Sequence, residues 1–562
     1  MLYEASPTPI DGVDVPSQEV TDSPFAQITI HISEQEYVQL KWDAQYWQKQ
    51  HQRALSREAE LKDQIETLRA QVRDLRQRLF GGRKTEKSTA QSEQHRQPEA
   101  KRPRGQQRGS VGHGRADFSH LPAREEECHF SEAERCCPKC GKAAAVFPGT
   151  EESEIIEIEV QAYRRVIRRK RFPWTQGDRP SCQCEDLPGI MTAPVPARLI
   201  PKGRLGVSVW VEILLSKYLY AQPTNRLLQS WANIGFTPSQ GTIIGGLKYL
   251  APLFAPVVEA LQAWQLTEGL CHADETGWRV FEPMEGKVGY RWYLWVIRST
   301  SAIVYVMAPG RSAAVPLTYF PQLLVQTVVV CDRYAAYKKV ARLIDLLLAF
   351  CWAHVRRDFL TLARSYPDTE TWAMGWVARI GTLYHLNDER LAVRDDPVRF
   401  TERDRELRAH LEQMSADRGA QLADASLRRA AHKVLVSLQN HWEGLTVFVD
   451  RPEIAMDNNA AESALRNEVL GRKAYYGSGS VWAAHLAGSL FSLLMTLVHC
   501  WQINPRLWLT QYLQACADEG HPPTDLSPFL PWMMSAQRLA ALRLGGGSST
   551  APTPHGIAID TS

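Results

Sequence analysis

The sequence predicts a multidomain α/β chain, and three observations carry that reading. With 562 residues, 44% of them hydrophobic, the chain is long enough to bury several cores. Between about Ser33 and Phe80 no Pro or Gly interrupts a run of helical periodicity. From Leu270 the periodicity changes to two and the residues become β-branched and aromatic, in the order three strands, helix, strand, helix, strand.

Charge and cysteine usage narrow the class. Lys+Arg 65 nearly balances Asp+Glu 62, so local clusters rather than the net charge of +3 must carry any nucleic-acid argument. The N-terminus has neither a basic start nor an apolar core, and no apolar run approaches the roughly 18 residues of a membrane span. The expectation is a cytoplasmic protein with no membrane contact. Six of the eleven cysteines fall between Cys128 and Cys184 and the rest are single in hydrophobic segments, a pattern of metal binding plus reduced core thiols rather than a disulfide framework.

The elements follow in order. Residues 1–33 and 541–562 are rich in Pro, Ser, Gly or Asp without apolar periodicity and are expected to be disordered. Residues 34–80 form a helix with a heptad seam, Ile65, Val72 and Leu79 at a, Leu61, Leu68 and Leu75 at d. β-Branched residues at a with Leu at d favour parallel two-stranded coiled coils, so a homodimer or higher oligomer is expected; a long amphipathic helix packed on its own protein is the plain alternative. Residues 81–126 are a flexible linker with nine basic residues from Arg83 to Arg115 against Glu86, Glu93 and Glu99, either an arm along phosphates or a solvated charged linker.

Residues 127–190 carry two close cysteine pairs, Cys137 with Cys140 and Cys182 with Cys184, separated by an expected hairpin over 152–172. Such a zinc-ribbon-like arrangement presents four thiolates to a structural Zn²⁺, with Pro138 and Gly141 making the knuckle turn. The Cys-x-Cys bite of the second pair is tighter than Cys-x-x-Cys, and Cys128, Cys136 and His129 are substitute ligands. The second hairpin strand bears Arg164, Arg165, Arg168 and Arg169 with no acid among them, a density that points to DNA. Residues 191–262 read as a helical DNA-binding region: helices around Val207–Tyr220, Pro223–Ile234 and Pro238–Leu250, the last two a helix-turn-helix with Ser239 or Thr242 capping the second.

Residues 263–484 hold the strand-rich segment. "LCHADETGWRVF", "YRWYLWVIRS" and "AIVYVMAP" read as strands, "SAAVPLTYF" as a helix, and "TVVVCD" and "LLLAFCW" as strands around a helix "RYAAYKKVARL". That is the order of a ribonuclease H-like fold, in which the first and fourth strands are neighbours. Asp274 lies inside the first strand and Asp332 ends the apolar run of the fourth. Alone each reads as a turn or strand-end residue; side by side they repel unless a divalent cation neutralises them. Glu275, next in the strand, points to the opposite face. "CWAHVRRDF" beyond the fifth strand offers His354, Arg356 and Arg357 to phosphates, or Arg356 and Arg357 to acids of a following helical segment.

Near the C-terminal end of this segment, "DNNAAESALRNEVLGRKAYYG" begins a helix. Asn459 is expected to cap it with Glu462 completing a capping-box-like pair, while Arg466 and Lys473 share the helix face of Glu462 and point to DNA. Asp457 and Glu468 are rival acids on the same stretch.

"DETGWRV", "VVVCDRYAAY", "CWAHVRRDF" and "DNNAAESALRNEVLGRKAYYG", with "LFGGRKTEKS", "GHGRADFSHLP" and the cysteine pairs, resemble the TnpC-type DDE transposases of the insertion sequence sixty-six family, from the heptad helix to near Leu513. The resemblance implies that Asp274, Asp332 and Glu462 are the DDE triad, with a helical insertion at about 360–455, a C-terminal helical region at 485–540, and small accessory proteins as partners. Three carboxylates suit two Mg²⁺ or Mn²⁺ ions, and the implied activity is cleavage at the 3′ ends of an insertion sequence and strand transfer. DNA, as terminal inverted repeats and target, is then the substrate, and the expected location is cytoplasmic and nucleoid-associated. The alternative of another class is a catalytically inactive, dimeric, zinc-containing regulator of element ends; a resolvase or ribonuclease of the same fold fits the long insertion less well.

Overall fold

The computed structural model describes residues 33–80, 136, 139–142, 155–156, 158, 160–173, 175–176, 179–180, 190–320, 327–344 and 346–544. The chain divides into two compact units, Met1–Lys84 and Thr85–Ser562.

In the first unit the helix α1 spans Glu34–Phe80, 47 residues without a helix breaker. Its start is a capping box: Glu36 N–H donates to Ser33 Oγ, and the Glu36 carboxylate accepts from Ser33 N–H and Oγ. Along it the heptad residues Leu61, Ile65, Leu68, Val72 and Leu75 are between 46% and 60% exposed. An apolar stripe open to water along several turns is a helix face without a partner in this chain's own unit.

The second unit opens with short strands, β1 (Arg171–Pro173), β2 (Thr175–Gln176), β3 (Arg179–Pro180) and β4 (Ile190–Thr192), paired antiparallel as β1 with β4 and β2 with β3. Among the described residues, 160–170 carry no strand, and Arg171–Pro173 pairs with Ile190–Thr192; residues 152–154, 157 and 159 of the expected first hairpin strand lie outside the described residues. Val160, Tyr163 and Val166 are exposed, as are Arg164, Arg165, Arg168 and Arg169. Cys140 lies exposed in a turn before Gly141, whose φ of +71 suits a knuckle. Cys137, Cys182 and Cys184 lie outside the described residues.

Four helices follow: α2 (Val207–Leu214), continued by a wider turn through Leu219, then α3 (Thr224–Ala232), α4 (Gln240–Leu250) and α5 (Ala255–Gln265). The two short helices expected of a helix-turn-helix are α3 and α4. Gly235 takes φ +74 in the turn, and Ser239 caps α4 by accepting from Thr242 N–H.

A five-stranded sheet comes next: β5 (Leu270–Arg279), β6 (Arg291–Arg298), β7 (Ile303–Ala308), helix α6 (Ala314–Tyr319), β8 (Thr327–Cys331), helix α7 (Ala335–Leu343) and β9 (Leu346–Phe350). Its order is β7-β6-β5-β8-β9, antiparallel on the β5–β6–β7 side and parallel on the β5–β8–β9 side. β8 is buried at all five positions, as a strand paired on both sides and covered on both faces must be. The seven elements from β5 to β9 follow the sequence-based order.

Between sheet and C-terminus lie α8 (Trp352–Ser365), α9 (Glu370–Ala392), α10 (Pro397–Leu422), α11 (Arg429–Asn440), α12 (Trp442–Asp450), α13 (Asn459–Ala464), α14 (Arg466–Tyr475), α15 (Val481–Met495), α16 (Pro505–Glu519) and α17 (Ala536–Ala541). α9 and α10 run antiparallel, joined at both ends by side chains: Trp372 and Trp376 donate to Gln421 Oε1 near one end, and Arg390 pairs with Asp404 near the other. α12 then returns to β9, where the absent side chain of Gly444 makes room; a Cβ there would stand 2.5 Å from the Phe350 ring.

α15 closes the β7 edge. Ser492 and Thr496, one turn apart, accept from the backbone N–H groups of Tyr305 and Ile303 and donate back to the same residues' carbonyls. A free sheet edge is thereby satisfied by hydroxyls, a device that blocks further strand addition. The boundary expected at 484/485 falls inside this helix. Contrary to the reading that no apolar run is long enough, Gln240–Gln265 and Val481–Cys500 pass a membrane-span test of length and composition. Ser489, Ser492, Thr496 and His499 interrupt strict apolar continuity in the second, most of which is buried inside the protein. It is a core helix by its packing.

Candidate active site

The site gathers where β5 and β8 run parallel. His272 pairs with Val330, so Asp274, in the middle of β5, and Asp332, just past the end of β8, each two residues further along the chain, stand level on adjacent strands. Asp274 Oδ1 accepts from Glu275 N–H at 2.9 Å, and Asp332 Oδ1 accepts from Tyr334 N–H at 2.9 Å in an Asx turn that aims its carboxylate back over the sheet. The Asp274 carboxyl is pushed up to about 7, first by burial and then by the carboxylates of Glu275, Asp332 and Glu462, against the pull of the Glu275 N–H.

Glu275 is held elsewhere. Its carboxylate is fully buried, pairs with Arg311 and accepts from the Tyr337 hydroxyl at 2.9 Å. It has its own counter-charge on the other side of the strand, as the alternation of β5 requires.

Glu462 reaches the site from α13, some 130 residues later in the chain, and three contacts dock that helix. Asn458 is fully buried: its Nδ2 donates to Ala273 O at 2.7 Å, and its Oδ1 lies 3.2 Å from His272 Nδ1. His272, pushed down to about 4 by burial, is neutral and donates from that nitrogen. Arg298 donates to Ala460 O at 3.2 Å, and Trp352 N–H donates to Met456 O at 2.9 Å. Thus β5, β6 and the start of α8 all hold the segment that carries Glu462.

The expected cap differs. The N-cap is Asn458, not Asn459, and its side chain is turned into the sheet rather than onto the helix; Asn459 N–H instead donates to Asp457 Oδ1 at 3.0 Å. Burying the amide against β5 satisfies a strand carbonyl, which outweighs a local cap. The helix is also broken at Leu465, so Arg466 and Lys473 belong to α14, where both are exposed, and the shared face with Glu462 does not carry through. Among the rival acids, Glu468 is fully buried under α14, with burial pushing its carboxyl up to about 8, and Asp457 makes the Asx turn just described.

From α8, His354 Nδ1 stands 3.7 Å from Glu462 Oε1 and Arg357 lies 3.9 Å from Glu462 Oε2. The alternative that Arg357 serves acids of the helical insertion gives way to this contact. Arg356 is one residue before it on the same helix. Burial and Arg357 lower the His354 pKa, against Glu462 and Asp332. Two residues escaped sequence reasoning. Arg472 reaches Thr276 Oγ1 at 3.0 Å and Gly277 O, bracing β5 beyond Asp274, and Cys351 N-caps α8 with its thiol beside His354 and Glu462. The doubled asparagine before α13 was the one available signal for a polar anchor; nothing local marked Cys351.

The acids are therefore clustered and partly buried between the β5–β8 pair, α8 and α13. Such a set is able to hold divalent cations: Glu462 Oε1 is buried with no hydrogen-bond partner among the described residues, and the Asp274 carboxyl resists ionisation without a neighbouring cation.

Comparison with known proteins agrees in kind. Residues 202–486, half of the chain, match the family described as "Transposase IS66 family". Similar curated proteins from Sinorhizobium fredii include the uncharacterized protein y4jD, 27% identical over 441 residues, covering 75% of this chain and 82% of that protein. Another, y4hP, is 25% identical over 449 residues, covering 75% of this chain and 77% of that protein. Among solved structures, the "Drosophila P element transposase strand transfer complex" is similar at 10% identity and a TM-score of 0.29, covering 52% of this chain and 91% of that one, a likeness too slight to bear on the fold. On the family match, this chain belongs to the IS66 family of transposases.

Proposed function

We propose that this chain is a DDE transposase that cleaves the 3′ ends of an insertion sequence and joins them to target DNA, with Asp274, Asp332 and Glu462 as its metal-binding triad. The observation that carries the reading is the convergence of an aspartate inside β5 and one at the end of β8, level on neighbouring parallel strands, with a glutamate delivered by a helix docked on the same sheet. The strand order 3-2-1-4-5 supports a ribonuclease H-like catalytic domain, with α9 to α12 as its helical insertion.

Two Mg²⁺ or Mn²⁺ ions, when bound by the triad, activate the attacking oxygen and stabilise the leaving oxygen of an in-line displacement at phosphorus. The chain's own residues set the stage for that chemistry. None of the three acids acts as a nucleophile; water attacks first, and the freed 3′-hydroxyl attacks target DNA in the second step. The Asx turn at Asp332 and the Asn458 anchor fix the carboxylates before substrate arrives, so little reorganisation remains. Neutral His354 and cationic Arg357 border the triad, where the scissile and flanking phosphates would lie; Arg356 joins them from the same helix. Arg164, Arg165, Arg168 and Arg169, all exposed, with Arg466 and Lys473, are assigned to flanking DNA, and the α3–α4 pair to element-end recognition.

Around this core we assign residues 127–190 to a structural Zn²⁺ held by Cys137, Cys140, Cys182 and Cys184, and α1 to homodimerisation through its exposed seam. The location is the cytoplasm at the nucleoid, with small accessory proteins as partners. The test is incubation of the full chain with linear DNA bearing element ends, with Mg²⁺ and then with EDTA. Mg²⁺-dependent 3′-end nicking and joining supports an enzyme; end binding with no nicking under any divalent ion supports the inactive regulator instead.

A further inference from the structure

Beside the triad, two buried polar atoms face one another with no hydrogen-bond partner among the described residues: His354 Nδ1 and Glu462 Oε1, 3.7 Å apart. Buried polar atoms are paired in folded proteins with few exceptions, and two unpaired ones facing each other leave their lone pairs to a shared ligand. The thiol of Cys351 completes the set; one ligand atom from each of the three residues lies within 4.8 Å of the other two.

We propose that Cys351, His354 and Glu462 form a transition-metal site of the zinc class at the edge of the triad, whose occupation diverts Glu462 from its catalytic role. The regulatory half of this inference rests on the triad reading above; the site itself does not.

Donor chemistry selects the ion. Thiolate, imidazole and carboxylate together are a set that Zn²⁺ or Co²⁺ accepts, whereas Mg²⁺ takes oxygen and rarely thiolate. Dimensions agree as well. Bonds of about 2.0–2.3 Å in a tetrahedron put neighbouring ligand atoms roughly 3.3–3.8 Å apart. The His354–Glu462 pair already has such a spacing at 3.7 Å. Every separation lies within 4.8 Å, so reaching tetrahedral spacing takes a movement of about 1 Å or less, within reach of a side-chain rotation.

The backbone presets the site. Cys351 is the N-cap of α8 and His354 is three residues on, so both project from one side of the first turn. Burial pushes the Cys351 thiol up to about 11, and the Asn458 N–H, which donates to its Sγ at 3.2 Å, works against that rise. Binding releases the thiol proton to solvent, and the imidazole, neutral already, gives up none from its ligating nitrogen once the proton sits on Nε2. Arg357 attends the other oxygen of Glu462, so Oε1 is left to the ion. With three protein ligands the fourth position is open, the pattern of an exchangeable rather than a structural ion.

The experiment is Co²⁺ titration of the full chain, read by thiolate-to-cobalt absorption and by equivalents bound, with Cys351→Ser and His354→Gln alongside. Cysteines of the 127–190 region bind equally in all three proteins and cancel in the difference. The expected result is one fewer equivalent in each folded variant, with loss of part of the thiolate band in Cys351→Ser. Equal stoichiometry and spectrum in either folded variant overturns the site. In a second arm, Zn²⁺ is added to Mg²⁺-driven cleavage. The midpoint for inhibition should rise at least roughly tenfold in Cys351→Ser relative to its own zinc-free rate. An unchanged midpoint overturns the regulatory half. A chain that cleaves nothing with Mg²⁺ overturns the transposase reading and its zinc control, while the cobalt arm decides the site by itself.

Discussion

Asp274 and Asp332 stand level on neighbouring parallel strands, each two residues beyond the paired His272 and Val330. A register slip of one residue would turn one carboxylate to the opposite face of the sheet, so the pairing of β5 with β8 is what makes two ordinary aspartates a pair. The third acid depends on different physics, the docking of α13.

That docking gives the first expectation. Asn458→Ala removes the amide that donates to Ala273 O and accepts from His272, leaving two buried groups unpaired. Stability should fall by about 1–3 kcal/mol. If Asn458 positions Glu462, the Mg²⁺ concentration for half-maximal cleavage should also rise, roughly 10- to 100-fold, with DNA affinity unchanged. A stability loss with an unaltered Mg²⁺ midpoint would reduce Asn458 to a packing role.

Much of this fold was legible in the sequence because its signals were local and strong. The alternation of β5 to β7, the all-apolar Val328–Val330 and the unbroken helix to Phe80 each specify an element without tertiary help. What was not legible was set by distant partners. The amide of Asn458 chose a strand carbonyl 185 residues away over its own helix. Ser492 and Thr496 read as polar interruptions in an apolar helix until the β7 edge is seen against them.

Glu468 should make stability depend on pH. Its carboxyl is pushed up to about 8 by burial, from 4.5 in the unfolded chain. Below 4.5 both states are protonated and nothing is lost; as pH rises toward 8 the unfolded state ionises while the folded state does not, so stability falls across that window. Glu468→Gln keeps the neutral shape, and should raise Tm at pH 7.5 while leaving it nearly unchanged at pH 4.5. A variant with the same pH profile as the parent would mean that Glu468 is ionised in the fold.

Arg390 is the polar pin of the helical insertion. Fully buried, it donates to Asp404 at 2.7 Å, to Asn387 at 2.9 Å, and to the Phe448 and Val449 carbonyls at 2.9 and 3.0 Å in the last turn of α12. Arg390→Leu leaves these acceptors without their donor and should cost about 3–5 kcal/mol, measured by calorimetry. A loss below about 1 kcal/mol would show that Arg408, which also holds Asp404, suffices.

The seam of α1 should set oligomeric state. Light scattering is expected to give a dimer or larger assembly for the full chain, and a smaller one for Leu68→Asp with Leu75→Asp, which place charge on d positions exposed in the single chain. A strict monomer before mutation would end the coiled-coil proposal.

The most direct measurement is Mg²⁺-dependent nicking of element-end DNA by Asp274→Ala, Asp332→Ala and Glu462→Ala beside the parent chain, with end binding measured in parallel. The expected result is a loss of at least about a thousandfold in cleavage for each variant with binding retained. Cleavage at the parent rate by any of the three folded variants would contradict the triad.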